Sequence, residues 1–132
     1  MADNNNDSKG NHHLSAFDVK ANGTLANKRV LHDFGLDRRG IDGMTLDAKG
    51  NIYATGGRAK NAGIYVFSPE GRHLAFIPTT QPTNCVFGAG TEKSTLYITA
   101  IVPKKEGEPT RWGLYRIKLK TNGHHIYPPK GR

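Results

Sequence analysis

Apolar residues along this chain alternate with polar ones in short runs, and glycine-rich turns separate the runs. A period of two puts successive side chains on opposite faces of an extended backbone, so the pattern predicts strands rather than helices. The run His13-Leu14-Ser15-Ala16-Phe17-Asp18-Val19 places Leu14, Ala16 and Asp18 on one face and Phe17 and Val19 on the other. Asn22-Gly23 supplies the positive φ angles of a hairpin turn, and Arg29 to Phe34 returns as the partner strand. A set of four follows: Met44 to Asp47, Ile52 to Thr55, Ile64 to Phe67 and His73 to Ile77. Gly50-Asn51 and Ser68-Pro69-Glu70-Gly71 are its turns, and Pro78 ends it. Ile64-Tyr65-Val66-Phe67 is apolar throughout, as befits a strand covered on both faces. A last set comprises Asn84 to Gly88, Thr95 to Thr99 and Gly113 to Leu119, with a charged loop at 104–110 and a turn at Lys120 to Gly123. A brief pairing is expected around Ile126-Tyr127 before Pro128-Pro129 stops it.

These strands recur in register. Leu14, Ile64 and Leu114 open equivalent strands 50 residues apart, and each strand runs into a glycine turn. Four short strands per unit at that period are the signature of a β-propeller blade. The expected fold is therefore all-β, a partial β-propeller of about two and a half four-stranded blades. Residues 1–39 form the end of one blade, 40–80 a complete blade, 81–127 a third, and 128–132 a tail. A propeller ring needs about four to eight blades, so this length cannot close one. The faces at either end are then apolar and uncovered, which predicts self-association.

Composition changes this picture little. A chain of 132 residues makes one domain. Its single cysteine, Cys85, rules out an internal disulfide or a cysteine-based zinc site and reads as a small core residue. The net charge of +8 invites a nucleic-acid reading. However, the basic residues are scattered over turns and strand ends with no recognition motif, so nucleic acid is not the expected partner. No apolar run is long enough to span a bilayer, and Met1 leads straight into Asp and Asn residues without a signal peptide. A cytoplasmic location follows by default.

The stretch Gly40-Ile41-Asp42-Gly43-Met44-Thr45-Leu46-Asp47 carries the candidate chemistry: a carboxylate in a glycine-flanked bend ahead of a strand. As chemistry alone, Asp42 is either a turn former or a ligand and base. Ile41-Asp42-Gly43-Met44-Thr45-Leu46-Asp47-Ala48-Lys49-Gly50-Asn51-Ile52-Tyr53 resembles the gluconolactonase / senescence-marker-protein / luciferin-regenerating-enzyme superfamily. So do Gly63 to Gly71, Pro82 to Gly88, Ser94 to Thr99 and Gly113 to Ile117, in the family's order. The resemblance implies a six-bladed propeller with one divalent cation, usually calcium, at its central tunnel, and hydrolysis of a sugar lactone or similar cyclic ester. It puts the family's metal-ligating aspartate and proposed general base on Asp42. Gly43 leaves room for substrate, and Asn84, at the equivalent position one blade later, is expected to be substrate-proximal. The family's other ligands, a glutamate and an asparagine, would precede Met1. The resemblance therefore implies an incomplete calcium site and a truncated hydrolase; the alternative is a non-catalytic propeller fragment serving as a binding or assembly module.

The remaining polar clusters read as scaffolding. Asp47 is expected to form a turn, and Asp3, Asn4, Asn5, Asn6 and Asp7 a solvated connecting loop. Adjacent histidines on a strand face opposite ways, so neither His12-His13 nor His124-His125 chelates a metal unaided. Trp112 and Tyr115 are expected to pack between blades.

Overall fold

The computed structural model describes residues 1–4, 10–35 and 40–125. Among them, nine strands arise where the apolar alternation falls, and no α-helix is present. β1 (His13–Val19) and β2 (Leu25–Asp33) form an antiparallel hairpin across the Asn22-Gly23 turn, where Gly23 has φ +80°. β3 (Met44–Leu46), β4 (Ile52–Gly56), β5 (Gly63–Phe67) and β6 (His73–Pro78) form a four-stranded antiparallel sheet in chain order. β7 (Pro82–Phe87), β8 (Thr95–Ile101) and β9 (Trp112–Lys118) form the third sheet, also in chain order. This is a partial β-propeller: a ribbon, a whole blade and a three-stranded blade, side by side. Ile126-Tyr127, Pro128-Pro129 and Asn5 to Asp7 lie outside the described residues.

The middle sheet is buried on both faces. On one, Ala54, Tyr65 and Phe67 pack against Leu14, Phe34 and Ile41 from the ribbon side. Phe34 stands edge-on to Tyr65 (ring centroids 5.3 Å apart, 90° between planes) and to Phe67 (6.1 Å, 89°), a favoured aromatic geometry. On the other, Tyr53, Ile64 and Val66 meet Cys85, Phe87, Leu96 and Ile98 of the third sheet. Every residue of β5 is buried in consequence, which explains its unbroken apolar run. Burial pushes the Cys85 thiol up to about 12, so this side chain is an inert packing group whose Sγ donates to the Tyr53 carbonyl at 3.4 Å.

Among the described residues, none packs over the far face of the third sheet as they do over the middle one. Val86 is 58% exposed, Trp112 64% and Leu114 69%. The packing expected of Trp112 is thus not made: the register that buries Ile98 opposite Tyr115 turns Ile101 and Trp112 to the open side. One blade earlier the counterparts of Tyr97 and Leu114, Tyr53 and Ile64, are buried because a following sheet covers them.

Asp47 does more than end a strand. It is 1% exposed, and its carboxylate accepts hydrogen bonds from the Lys49 and Asn51 backbone N–H groups and from Asn51 Nδ2, each at 2.9 Å. Burial pulls the Asp47 carboxyl upward, but the bonds from Asn51, Lys49 and the Thr121 side chain outweigh it and hold the group below the usual carboxylate range. The backbone beside it bridges to Gly123, so the end of the third sheet is tied to the second. Asp47→Ala should cost about 2–3 kcal/mol in urea unfolding at neutral pH, since buried donors lose their acceptor. The folded-state pKa lies below the unfolded one. The contribution is therefore complete above about pH 4 and is lost as pH falls through the depressed folded value. The gap between wild type and variant should narrow in acid; a gap that stays constant with pH would show that the charge is not what matters.

Candidate functional site

The bend carrying Asp42 is stapled to β4 by one buried threonine. Thr55 Oγ1 accepts from the Gly43 N–H at 2.9 Å and donates to the Gly43 carbonyl at 3.1 Å. Its backbone adds Thr55 N–H to Gly43 O at 2.9 Å and Asp42 N–H to Thr55 O at 3.2 Å. The loop is in effect a continuation of the β3–β4 ladder. Its glycines are required by crowding. A Cβ on Gly40 would lie 2.5 Å from the Asp3 carbonyl oxygen and 3.2 Å from Asn4 Cα. A Cβ on Gly43 would lie 2.1 Å from Asn84 Oδ1 and 2.7 Å from Asn84 Cα. The bend is wedged between the chain's first residues and the start of the third sheet, where any side chain larger than hydrogen would force backbone apart.

Asp42, Gly43 and Asn84, all singled out in the sequence, are therefore brought together. Asn84 lies within β7, its Oδ1 accepting from the Cys85 N–H at 2.8 Å. It also borders a shallow hollow of about 180 Å³ on the open face, lined further by Val86, Tyr97, Thr99 and Leu114. One site neighbour departs from the solvated loop its polar surroundings predict: Asn4. Its Nδ2 donates to Asp42 Oδ1. Its own Oδ1 is buried and meets no hydrogen-bond donor among the described residues. The signal for it was available in the short polar run after Ala2, but only the bridge of Ala2 to Leu14 brings that run alongside Asp42.

Three oxygen-bearing side chains thus border one bend, Asn4 bonded to Asp42 and Asn84 pressed against Gly43, one from each successive sheet or its leading segment. Amide and carboxylate oxygens are what a hard cation takes, and the buried, unsatisfied Asn4 Oδ1 is the kind of atom a cation satisfies. In kind the donors fit calcium. In number they make only part of its usual six to eight oxygens, and among the described residues no three or more His, Cys, Asp or Glu side chains gather. The histidines serve elsewhere: His12 Nδ1 bonds the Gly35 carbonyl at 3.0 Å, His13 pairs with Asp33 at 3.6 Å, and His125 Nε2 bonds the Gly88 carbonyl at 3.0 Å.

A family model described as SMP-30/Gluconolactonase/LRE-like region matches residues 5–102. The chain is also similar to a gluconolactonase of Zymomonas mobilis subsp. mobilis, with 29% identity over 104 residues. That match covers 72% of this chain and 28% of the relative, so the chain spans under a third of the length of the curated protein it resembles.

Proposed function

Since the chain belongs to the SMP-30/gluconolactonase/LRE-like family, we propose that it carries part of the active site of a hydrolase that opens a sugar lactone or similar cyclic ester. The observation that supports this reading is the convergence of Asn4, Asp42 and Asn84 around a glycine-bounded bend. Asp42 takes the proton of the attacking water as its oxygen bonds to the lactone carbonyl carbon. The ring C–O bond then breaks, and the proton passes to the departing ring oxygen, leaving a hydroxy acid. Gly43 lets Asn84 lie directly against the bend, and the exposed amide of Asn84 orients the substrate's hydroxyl groups. Asp42, with the Asn4 and Asn84 amide oxygens, would hold a divalent cation such as calcium. When bound, such an ion polarises the carbonyl and acidifies water.

The test is acid release from glucono-δ-lactone followed in a pH-stat, with calcium and after chelation. Hydrolysis above the spontaneous rate that disappears on chelation and returns with calcium supports the reading. A rate equal to the uncatalysed one with calcium present rejects it for this chain. One observation favours a second reading, a non-catalytic propeller module: the uncovered apolar face around Val86, Trp112 and Leu114. That reading expects association through this face in light scattering and no calcium-dependent shift in thermal midpoint.

A further inference from the structure

We infer that Asn4 is a positioning residue for Asp42: its side-chain amide tethers one carboxylate oxygen and so fixes the orientation in which the carboxylate meets a bound molecule. Asn4 Nδ2 donates to Asp42 Oδ1. The opposite amide orientation would set oxygen against carboxylate oxygen, so the bond also selects which end of the amide faces Asp42. Asn4 Oδ1 is buried and accepts no hydrogen bond among the described residues, so no other protein donor turns the amide away from Asp42.

The backbone that presents Asn4 is anchored. Ala2 bridges to the core residue Leu14, the Asp3 N–H donates to the His13 carbonyl at 2.9 Å, and the Ser15 N–H to the Met1 carbonyl at 2.9 Å. Gly40 lets this anchored segment lie directly on the Asp42 bend, since a Cβ there would collide with Asp3 and Asn4 backbone. Thr55 fixes the same bend from β4. The bend is therefore held by Thr55 from β4, while Asn4, on a segment tied to β1, holds the carboxylate it carries. A charge-assisted bond of this kind restricts the side chain as well as attracting it.

The catalytic half of this inference rests on the hydrolase reading above; the tether itself does not, and the two are separated by the test. In the ¹⁵N-labelled chain, the Asn4 side-chain amide protons should exchange with water more slowly than those of exposed Asn22, and Asp42→Ala should abolish that protection. In lactone hydrolysis, Asn4→Ala and the isosteric Asn4→Asp should lower kcat about ten- to a hundredfold, the scale of a misplaced catalytic group. KM should stay within about twofold and the thermal midpoint unchanged. Asn4→Ser, which keeps a donor, should recover part of the loss. Fast exchange at Asn4 that is indifferent to Asp42→Ala, or wild-type kcat in Asn4→Asp, overturns the inference. Slow, Asp42-dependent exchange in a chain that hydrolyses no lactone supports the tether while rejecting the hydrolase reading.

Discussion

On the hydrolase reading proposed above, Asp42→Asn should lower kcat for lactone hydrolysis by about a thousandfold, within the range lost when a positioned general base is removed. The substitution keeps the shape of the side chain and replaces the charged, proton-accepting oxygen with an amide. The bend itself should survive the loss of the Asn4 contact, because the bonds of the Gly43 and Asp42 backbone to Thr55 do not involve the carboxylate. The thermal midpoint should therefore stay within a few degrees of wild type, and any calcium-dependent rise in it should shrink with the lost charge. Full activity in Asp42→Asn would remove Asp42 from the chemistry. A collapse of stability together with activity would make it a structural residue instead.

The largest effect on stability is expected at Phe67. It is completely buried, with Phe34 edge-on to it and His32 at 4.8 Å and His73 at 5.4 Å between ring centroids. Phe67→Ala removes the ring and leaves a cavity whose walls, strands of two sheets, are held by their ladders and cannot collapse freely. A cost of about 3–5 kcal/mol is expected, a large part of the roughly 5–15 kcal/mol that holds a domain of this size together. Urea unfolding followed by tyrosine and tryptophan fluorescence measures it. A loss under about 1 kcal/mol would mean that the ribbon and the middle sheet are not packed on one another.

The strands were legible because their pattern was doubly marked: by alternation and by turn residues at Gly23, Gly50 and Gly71, all of which take positive φ. β5 announced its burial on both sides by being apolar at every position. Asp42 and Gly43 were legible as a motif, and Asn84 as their counterpart one blade on. What could not be read was contact between segments far apart in the chain. Asn4 lies in a polar run that looks solvated, and only the pairing of the first residues with β1 carries it to Asp42. Trp112 looked like packing material because aromatic residues usually are. Its exposure depends on which neighbour stands beyond the third sheet, which no local pattern encodes. Asp47 was read as a turn former, and it is one; its burial depends on Thr121 and Gly123, more than seventy residues later.

That late return has a bearing on cooperativity. Gly123 bridges Asp47, the His124 N–H donates to the Leu46 carbonyl at 2.9 Å, and the Ala48 N–H to the Asn122 carbonyl at 2.8 Å. A chain that merely stacked one sheet after another would fray from its last sheet inward, each unit opening on its own. Here the end of the last sheet is latched to the inner edge of the one before it, so neither can open without breaking the latch. The two sheets that hold Asp42 and Asn84 should melt as a single unit, and the geometry between those side chains should persist until that unit is lost.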